Sequence, residues 1–214
     1  MKLYSYFRSS AAYRMRIALA LKGIDYEMDF VHLRRKDHRS EGYLAMNPQG
    51  LVPTLIDDNG TVLTQSIAMI EYLEETRPEP PLLPSDAAGR ARVRALASAI
   101  ACEIHPVNNL RVLRYLTNEM DVDEETMNRW YCHWIDEGLA GLEGMLAGHP
   151  STGRYCHGDT PTIADAFLVP QIFNARRFGC NVDKFPTVAG INDTVLALPE
   201  LAGTAPDDQP DASD

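Results

Sequence analysis

The sequence predicts a small α/β domain of four strands, followed by an all-helical domain. Strand and helix patterns alternate through residues 1–77 in the order β-α-β-α-β-β-α, and no strand pattern follows them. Residues 77–84 contain four prolines in eight positions, a composition typical of a stiff linker. We therefore predict an α/β domain at 1–77, a proline-rich linker at 78–86 and a helical domain at 87–202.

The first strands and helix predict a βαβ unit. Residues 2–6 and 26–31 have strand patterns, and the helical stripe between them follows Ser9 and Ser10. Either serine can cap that helix, and Gly23 is placed to end it. Two strands joined through a helix are expected to pair in parallel.

A hairpin follows the segment Val52-Pro53. Proline has no N–H and restricts the residue before it to extended geometry, so the pair suits the start of a strand. Residues 55–57 and 61–64 then predict two strands joined by the turn 58–60. We expect Val52 to lie at a sheet edge, where its N–H and C=O can pair with the backbone of a small peptide.

Ser66 is predicted to cap the helix after the hairpin, which carries Ile67, Ile70 and Leu73 on its apolar stripe. The start of a helix presents unpaired N–H groups and a positive dipole end to a carboxylate. Either feature by itself is ordinary, since most such serines only cap and most Val-Pro pairs only start a strand. Together, Val52 and Ser66 favour a ligand that is both a peptide and an amino acid.

The second half shows only helical patterns. An apolar stripe runs from Val93 to Ile104, and Pro106 is expected to kink or end that helix. Another amphipathic helix is predicted at 124–147. Thr162 and Asp165 approximate a capping box, which makes Asp165 a structural residue. The acidic residues 203–214 are predicted to form a disordered tail.

Composition excludes several functional classes. The chain has 20 Lys and Arg against 30 Asp and Glu, a formal net charge of −10, which argues against a nucleic-acid partner. No apolar run is long enough to span a membrane, and the N-terminus predicts a strand and not a signal peptide. The four cysteines form no C-x-x-C pair and are predicted to be free thiols in a reducing cytoplasm. The six histidines show no metal-ligand spacing.

The order of elements and several motifs resemble the soluble glutathione transferases, and specifically their zeta class, the maleylacetoacetate isomerases. The resemblance covers about residues 2–202. Its motifs lie at 4–26, Asn47-Pro48 with Val52-Pro53, Gln65-Ser66 with 70–78, 104–113 and 169–178. It implies a thioredoxin-like first domain, a homodimer, a cytoplasmic location, and glutathione as the cofactor.

The resemblance also implies roles for individual residues. Val52, before a cis Pro53, would pair with the cysteinyl backbone of glutathione, and Gln65 and Ser66 would hold its γ-glutamyl carboxylate. Ser9 and Ser10 would lie by the sulfur, with Ser9 the first choice for stabilising the thiolate. Further glutathione contacts are implied for Ala11, Arg14, His38, Gln49, His105, Asn109, Leu110 and Arg111. For His38 and His105, a surface histidine and a polar residue at a kink remain the alternatives.

The implied reaction is the glutathione-dependent isomerisation of maleylacetoacetate, a step of aromatic amino acid catabolism. The family motif usually reads Ser-Ser-Cys, whereas this chain has Ala11 in third place, so chemistry that needs a protein–glutathione disulfide is not expected. The substrate carries two carboxylates, for which arginine is the natural clamp. Arg8 and Arg177 are the candidates, with Arg176 as the alternative to Arg177.

Three other functions stay open on the sequence. Maleylpyruvate isomerase is close, because its substrate differs little at the reacting end. A broader transferase would conjugate glutathione to small electrophiles. A non-catalytic module of the same fold would bind a protein partner, but it would have no need of Ser9, Val52, Gln65 and Ser66 together.

Overall fold

The computed structural model describes residues 1–213, and the side chains of residues 1–212. The chain divides into two compact units. The first unit comprises Met1–Pro81 together with the described chain from Leu198 onward, and the second comprises Leu82–Ala197. The C-terminal segment therefore belongs with the N-terminal unit, whereas the sequence suggested a helical domain that continues to residue 202.

The first unit contains a four-stranded sheet in the order β2-β1-β3-β4, formed by β1 (Lys2–Ser5), β2 (Glu27–Phe30), β3 (Thr54–Ile56) and β4 (Val62–Thr64). Strand β1 runs parallel to β2 and antiparallel to β3, and β3 and β4 form a hairpin. Leu3 and Leu55 face each other in the register and are fully buried. The predicted thioredoxin-like sheet and its parallel βαβ unit are confirmed.

Three helices complete this unit, namely α1 (Ser10–Leu21), α2 (Glu41–Met46) and α3 (Ser66–Thr76). Helix α1 is buried along most of its length and packs against α3. Gly23 follows α1 with a φ of +62°, a backbone conformation that a residue without a Cβ adopts readily. The prediction that Gly23 ends the first helix is confirmed.

Two predictions about the hairpin region are wrong. Strand β3 pairs with β1 on one side and with β4 on the other, so Val52 precedes an internal strand and not a sheet edge. Ser66 is the first residue of α3 and not its cap, because Gln65 occupies the capping position and makes no side-chain cap bond. A single hairpin pattern does not reveal which side of it the rest of the sheet will occupy.

The second unit is all helical, as predicted. A π-helical segment, Ala99–Ile104, continues α4 and ends just before Pro106. Helix α7 is the most buried helix of the unit, and both α4 and α8 pack against it. The helices are α4 (Ala87–Ser98), α5 (Leu110–Asn118), α6 (Glu124–Leu146), α7 (Ile163–Arg177) and α8 (Pro186–Leu196).

Asp165 closes the start of α7. Its Oδ2 accepts hydrogen bonds from the backbone N–H of Thr162 at 2.8 Å and from the Thr162 hydroxyl at 2.7 Å, and Oδ1 accepts from the Cys156 N–H at 2.9 Å. The Thr162 side chain in turn caps the helix, so the capping box is present as predicted. The Asp165 side chain is fully buried, and these three hydrogen-bond donors satisfy its carboxylate there.

The prediction of a disordered tail is wrong for residues 203–213. These residues form two short 3₁₀ turns, Pro206–Asp208 and Pro210–Ser213. Thr204, Gln209 and Asp211 are buried, although the acidic composition suggested a solvated segment. The density of acidic residues does not predict disorder here, because Asp211 accepts a hydrogen bond from the buried backbone N–H of Phe7 in the first unit.

The cysteine prediction is also wrong in part. Cys132 on α6 and Cys180 after α7 form a disulfide across 48 residues of sequence, whereas Cys102 and Cys156 are free. The two partners lie 48 residues apart in the sequence and show no motif spacing, so the sequence does not reveal their pairing. We expect thiol titration of the denatured, unreduced protein to find two thiols, and four after reduction. Four thiols before reduction would contradict the pairing.

An ion pair at the end of the first unit predicts a pH dependence of stability. Arg77 donates to Asp57 Oδ1 at 2.6 Å, and the Tyr72 hydroxyl donates to Oδ2 at 2.5 Å. Burial raises the pKa of Asp57, but these donors together outweigh it and lower the pKa to about 2 from the ordinary 3.8. The stabilisation is therefore present above about pH 4 and is lost as the pH falls towards the folded-state pKa.

We expect Asp57→Asn to lower the free energy of unfolding by about 2 kcal/mol at pH 7. The difference from the wild type should shrink steadily between pH 4 and the folded-state pKa. Denaturant unfolding of both proteins across that range measures it. A difference that does not change with pH would contradict the assignment.

The described residues contain neither a membrane-spanning helix nor a metal-binding cluster. No helix there is both long enough and apolar enough to cross a membrane. Within residues 1–212, no group of three or more His, Cys, Asp and Glu side chains is arranged to hold a metal ion.

Candidate functional site

The turn between β1 and α1 places a hydroxyl at a helix start. Ser9 is the N-cap of α1, and its Oγ accepts a hydrogen bond from the Ala12 N–H at 3.2 Å. Because that bond uses a lone pair of the oxygen, the hydroxyl hydrogen can donate to an anion outside the helix. Ser9 is partly exposed, whereas Ser10 is buried. No acidic residue in the first turn opposes an anion, and the helix dipole favours one.

The loop before β3 offers a backbone pair to a ligand. The Val52–Pro53 peptide bond is cis, as the family resemblance implied. The described residues provide no hydrogen-bond partner for the N–H or C=O of Val52. Its neighbour Leu51 is held firmly, since its C=O accepts from Tyr43 Oη at 2.6 Å and from Asn47 Nδ2 at 2.7 Å. A fixed loop with an unused donor and acceptor is suited to pairing with another peptide.

The start of α3 lies close to a buried positive charge. Arg14 on α1 is 3% exposed, and its Nη1 donates to Ser66 Oγ at 3.4 Å. Gln65 has a φ of +69°, an uncommon conformation for a residue with a side chain, and one that concentrates at functional sites. The side chain of Gln65 donates to Gln49 Oε1 at 2.7 Å. These contacts gather Arg14, Gln49, Gln65 and Ser66 around one helix start that suits a carboxylate.

His38 joins this group through the backbone. It is buried in the 3₁₀ turn Asp37–Arg39, which lies against Gly50, the residue after Gln49. Gly50 has a φ of +57°, and a Cβ there would come within 2.9 Å of the His38 carbonyl oxygen. His38 is therefore not the surface histidine that was its alternative. Ala11 follows Ser10 and is partly exposed, so this position of the turn carries no thiol.

The first unit thus brings together most of the predicted residues. Phe7, just before the turn, and Val52 belong to one apolar cluster, so the turn and the cis-proline loop are neighbours. Arg14 connects α1 to Ser66. The strained backbone of Gln65 could not be predicted, because no residue pattern around it indicates a positive φ. Tyr43 and Asn47, which hold the loop, were not singled out either, because only their shared partner Leu51 reveals their role.

Four predicted contacts lie in the second unit, around the start of α5. Asn109 is the N-cap of α5, and its Oδ1 accepts from the Arg111 N–H at 3.1 Å. Asn109 Nδ2 and His105 Nε2 are 3.2 Å apart. Leu110 and Arg111 are exposed. His105 therefore lies in a polar kink, where its ring contacts the side chain of Asn109.

The three arginines proposed for substrate carboxylates have different surroundings. Arg8 is partly exposed, and its guanidinium lies 4.8 Å from the centre of the Phe7 ring. Arg177 in the second unit lies 4.7 Å from the Phe178 ring and lines a surface groove of about 680 Å³ with the start of α6. Arg176 forms an exposed ion pair with Asp193 at 3.5 Å.

Comparisons with known proteins identify the family. The glutathione S-transferase N-terminal domain matches residues 8–76, and the glutathione S-transferase C-terminal domain matches residues 135–183. A probable maleylacetoacetate isomerase of Vibrio cholerae serotype O1 is 49% identical over 213 residues, with 98% of this chain and 97% of that protein covered. A maleylpyruvate isomerase described as a bacterial zeta-class glutathione S-transferase superposes with a TM-score of 0.96 at 47% identity, covering 99% of this chain and 100% of that one.

This chain is a zeta-class glutathione S-transferase. A second similar solved structure is a maleylacetoacetate isomerase from Methylobacterium extorquens AM1 with malonate and glutathione bound. It superposes on the present zeta-class transferase with a TM-score of 0.95 at 42% identity, covering 99% of each chain. The predicted family is therefore confirmed.

Proposed function

We propose that this zeta-class transferase is a glutathione-dependent cis–trans isomerase of a maleyl acid, with maleylacetoacetate as the favoured substrate. The observation that carries the proposal is the geometry of Ser9. It offers a partly exposed hydroxyl hydrogen at the start of α1, beside a loop with a free backbone pair. The names of similar proteins support the reaction, since a maleylpyruvate isomerase and a probable maleylacetoacetate isomerase are 47% and 49% identical to this chain.

Glutathione matches the group of residues from end to end. Its γ-glutamyl carboxylate suits the start of α3, where Gln65, Ser66 and the buried Arg14 lie. Its cysteinyl N–H and C=O suit the unused C=O and N–H of Val52. The thiol then reaches the turn that carries Ser9 and Ser10. A relative with glutathione bound supports this choice of cofactor. His38 and Gln49 fit the other end of the tripeptide, and His105, Asn109, Leu110 and Arg111 are proposed contacts from the helical unit.

The proposed reaction is a reversible addition. The glutathione thiolate forms a C–S bond with one carbon of the cis double bond, and the π electrons move onto the conjugated carbonyl as an enolate. The former double bond is now single and rotates. The enolate electrons then restore the double bond in the trans form, the C–S bond breaks, and the thiolate returns unchanged. The protein stabilises the thiolate and fixes the substrate, and the reaction needs no cysteine at Ala11.

Arg8 and Arg177 are the proposed clamps for the two substrate carboxylates. A guanidinium binds a carboxylate through two parallel hydrogen bonds. Arg8 directly precedes Ser9, so a carboxylate on it lies close to the thiolate. The malonate bound in a related structure is itself a dicarboxylate, which supports a site built for two acids.

We expect Arg8→Ala to raise KM for the maleyl acid by about tenfold or more, since a charged hydrogen-bonding pair contributes about 1.5–3 kcal/mol. The dissociation constant of glutathione should stay close to that of the wild type. Arg177→Ala should behave alike, and Arg176→Ala is the control, because it removes the neighbouring arginine together with its exposed ion pair to Asp193. Steady-state kinetics and calorimetry measure the two quantities. An equal loss of both affinities in Arg8→Ala would assign Arg8 to glutathione and not to the substrate.

The experiment that tests the function compares maleylacetoacetate with maleylpyruvate, each with and without glutathione. Glutathione-dependent turnover of the first substrate is the expected result. Faster turnover of maleylpyruvate would favour the second candidate, which a 47% identical maleylpyruvate isomerase of a Ralstonia species supports. Turnover of neither, with glutathione still bound, would contradict isomerisation and favour a conjugating transferase.

A homodimer, a cytoplasmic location and a role in aromatic amino acid catabolism are proposed from the family alone. Sedimentation equilibrium tests the first, with twice the chain mass of 23.8 kDa as the expected result. A mass of one chain would contradict it.

A further inference from the structure

The C-terminal segment of residues 203–213, here named the C-terminal strap, is an ordered part of the first unit. Gln209 Nε2 donates to the carbonyl oxygens of Gly203 and Ala205, both at 2.8 Å. The Thr204 hydroxyl donates to the Leu201 carbonyl at 2.7 Å. The strap therefore keeps its own shape through buried and partly buried hydrogen bonds, and it is not a solvated acidic tail.

The strap holds the backbone N–H of Phe7. Asp211 is 5% exposed, and its Oδ2 accepts from the Phe7 N–H at 3.0 Å, across 204 residues of chain. The following residue, Ala212, packs on the apolar cluster that contains Phe7. Because a buried N–H without a partner is costly, removal of the Asp211 carboxylate would leave this part of the chain without its anchor.

The opposite backbone group of Phe7 is held through Arg16. This side chain is fully buried. Its Nη2 donates to the Phe7 carbonyl at 3.1 Å, its Nε to the Thr204 carbonyl of the strap at 2.8 Å, and its Nη1 to Ser5 Oγ at 3.3 Å. Burial lowers the pKa of Arg16 to about 10, while two neighbouring tyrosines and, to a smaller extent, the charge of Asp211 oppose that change. The buried cation is thus joined to the strap through the Thr204 carbonyl.

Phe7 is the residue immediately before Arg8 and Ser9. Its ring also lies under the Arg8 guanidinium at 4.8 Å. A change in the Phe7 backbone would therefore move the proposed carboxylate clamp and the proposed thiolate donor together. In a catalytic site, a displacement of about 1 Å can cost about a hundredfold in rate.

We propose that the C-terminal strap, through Asp211 and Arg16, positions the turn that carries Arg8 and Ser9 for the isomerisation. Asp211 and Arg16 are positioning residues, since each acts through Phe7. The inference rests on the proposed function for its effect on the reaction. The hold on the turn itself is independent of that function.

The test uses the full chain with Asp211→Ala and Asp211→Asn. Asparagine keeps an acceptor oxygen for the Phe7 N–H but loses the charge towards Arg16, so its effect should be the smaller. Asp207→Ala is the matched control, because Asp207 is an exposed carboxylate of the same strap. Tyr72→Phe is the second control, since it loses a hydrogen bond to Asp57 elsewhere in the same unit.

Three quantities are measured, namely hydrogen exchange at residues 7–10, the pKa of the bound glutathione thiol from its thiolate absorbance, and kcat/KM. We expect Asp211→Ala to speed exchange at the turn, to raise the thiol pKa, and to lower kcat/KM about tenfold to a hundredfold. Glutathione affinity should change little, because Val52, Gln65 and Ser66 are untouched. Asp207→Ala and Tyr72→Phe should leave the thiol pKa and the exchange at the turn unchanged.

Two results would overturn the proposal. One is a soluble Asp211→Ala variant in which the hydrogen exchange at residues 7–10 and the pKa of the bound glutathione thiol are those of the wild type. If the alanine variant does not fold, the same result in Asp211→Asn would overturn the proposal. The other is an equal rise of the thiol pKa in Tyr72→Phe, which would make the effect one of general stability. A wild-type protein that binds no glutathione would refute the proposed function instead, and exchange at residues 7–10 alone would then decide about the strap.

Discussion

Ser9→Ala is expected to lower kcat for glutathione-dependent isomerisation by about 100- to 1,000-fold, the usual cost of removing one preorganised donor to a developing or resident anion. The substitution removes the only part of Ser9 that can stabilise a thiolate, its hydroxyl hydrogen. The pKa of the bound glutathione thiol should rise for the same reason, so that less thiolate is present at neutral pH. Rapid mixing and thiolate absorbance measure the two effects.

Controls separate this effect from the loss of a helix cap. Ser9→Ala also removes the bond to the Ala12 N–H, which costs about 1 kcal/mol of stability. Ser40 caps α2 in the same way, through a bond from the Tyr43 N–H to its Oγ at 3.3 Å. Ser40→Ala should therefore lose similar stability and keep its activity, and Ser9→Thr should retain much of the rate. A wild-type kcat and thiol pKa in Ser9→Ala would exclude Ser9 as the thiolate donor.

Glu74→Ala is expected to give the largest loss of stability, about 3–5 kcal/mol. Glu74 forms an ion pair with Lys22 at 2.5 Å, and the two side chains are 6% and 0% exposed. Lys22 Nζ also donates to the carbonyl oxygens of Arg77 and Pro80, at 2.8 and 2.9 Å. Three acceptors therefore satisfy one buried ammonium, which ties α1 to α3 and to the segment that follows α3.

The expected loss of stability is large because the Lys22 ammonium stays buried after Glu74 is removed. A variant that removes both charges tests this explanation. Glu74→Ala leaves a buried ammonium without its counter-ion, whereas Lys22→Met with Glu74→Leu removes both charges and should cost much less. Glu75→Ala is the control, because Glu75 is the exposed neighbour. Denaturant unfolding measures all three. A double variant less stable than Glu74→Ala would show that the pair stabilises the fold through attraction and not through mutual neutralisation.

The elements of the fold could be predicted from the sequence, but the position of each within the sheet could not. Alternation and apolar stripes depend on neighbouring residues, and they correctly gave the four strands, the helix order and the capping box at Asp165. The placement of β3 between β1 and β4 depends on pairing across about 50 residues of chain, which no local pattern reveals. The ordered strap was missed for the same reason, since Asp211 gains its partner from Phe7 at the other end of the chain.

The candidate site could be predicted at positions where the residue type and its neighbours indicate a local structure. Ser9 at a strand-to-helix turn and Val52 before a proline both carry local signals, and the family resemblance added Gln65 and Arg14. Ser66 was assigned to the wrong helix position because the true cap, Gln65, has a φ of +69°, which is unexpected for glutamine. Supporting residues such as Asn47 and Arg16 act through backbone groups. Their roles therefore appear only when the structure shows their partners.

The most direct test of the central claim is the mass balance of glutathione during turnover. Purified protein is given maleylacetoacetate in large excess over glutathione, and the cis acid, the trans acid and free thiol are quantified together over time. Reversible thiolate addition predicts complete conversion of the cis acid to the trans acid, with all of the glutathione recovered as free thiol. Consumption of one glutathione per substrate, with a stable thioether as the product, would contradict isomerisation and assign the protein to conjugation.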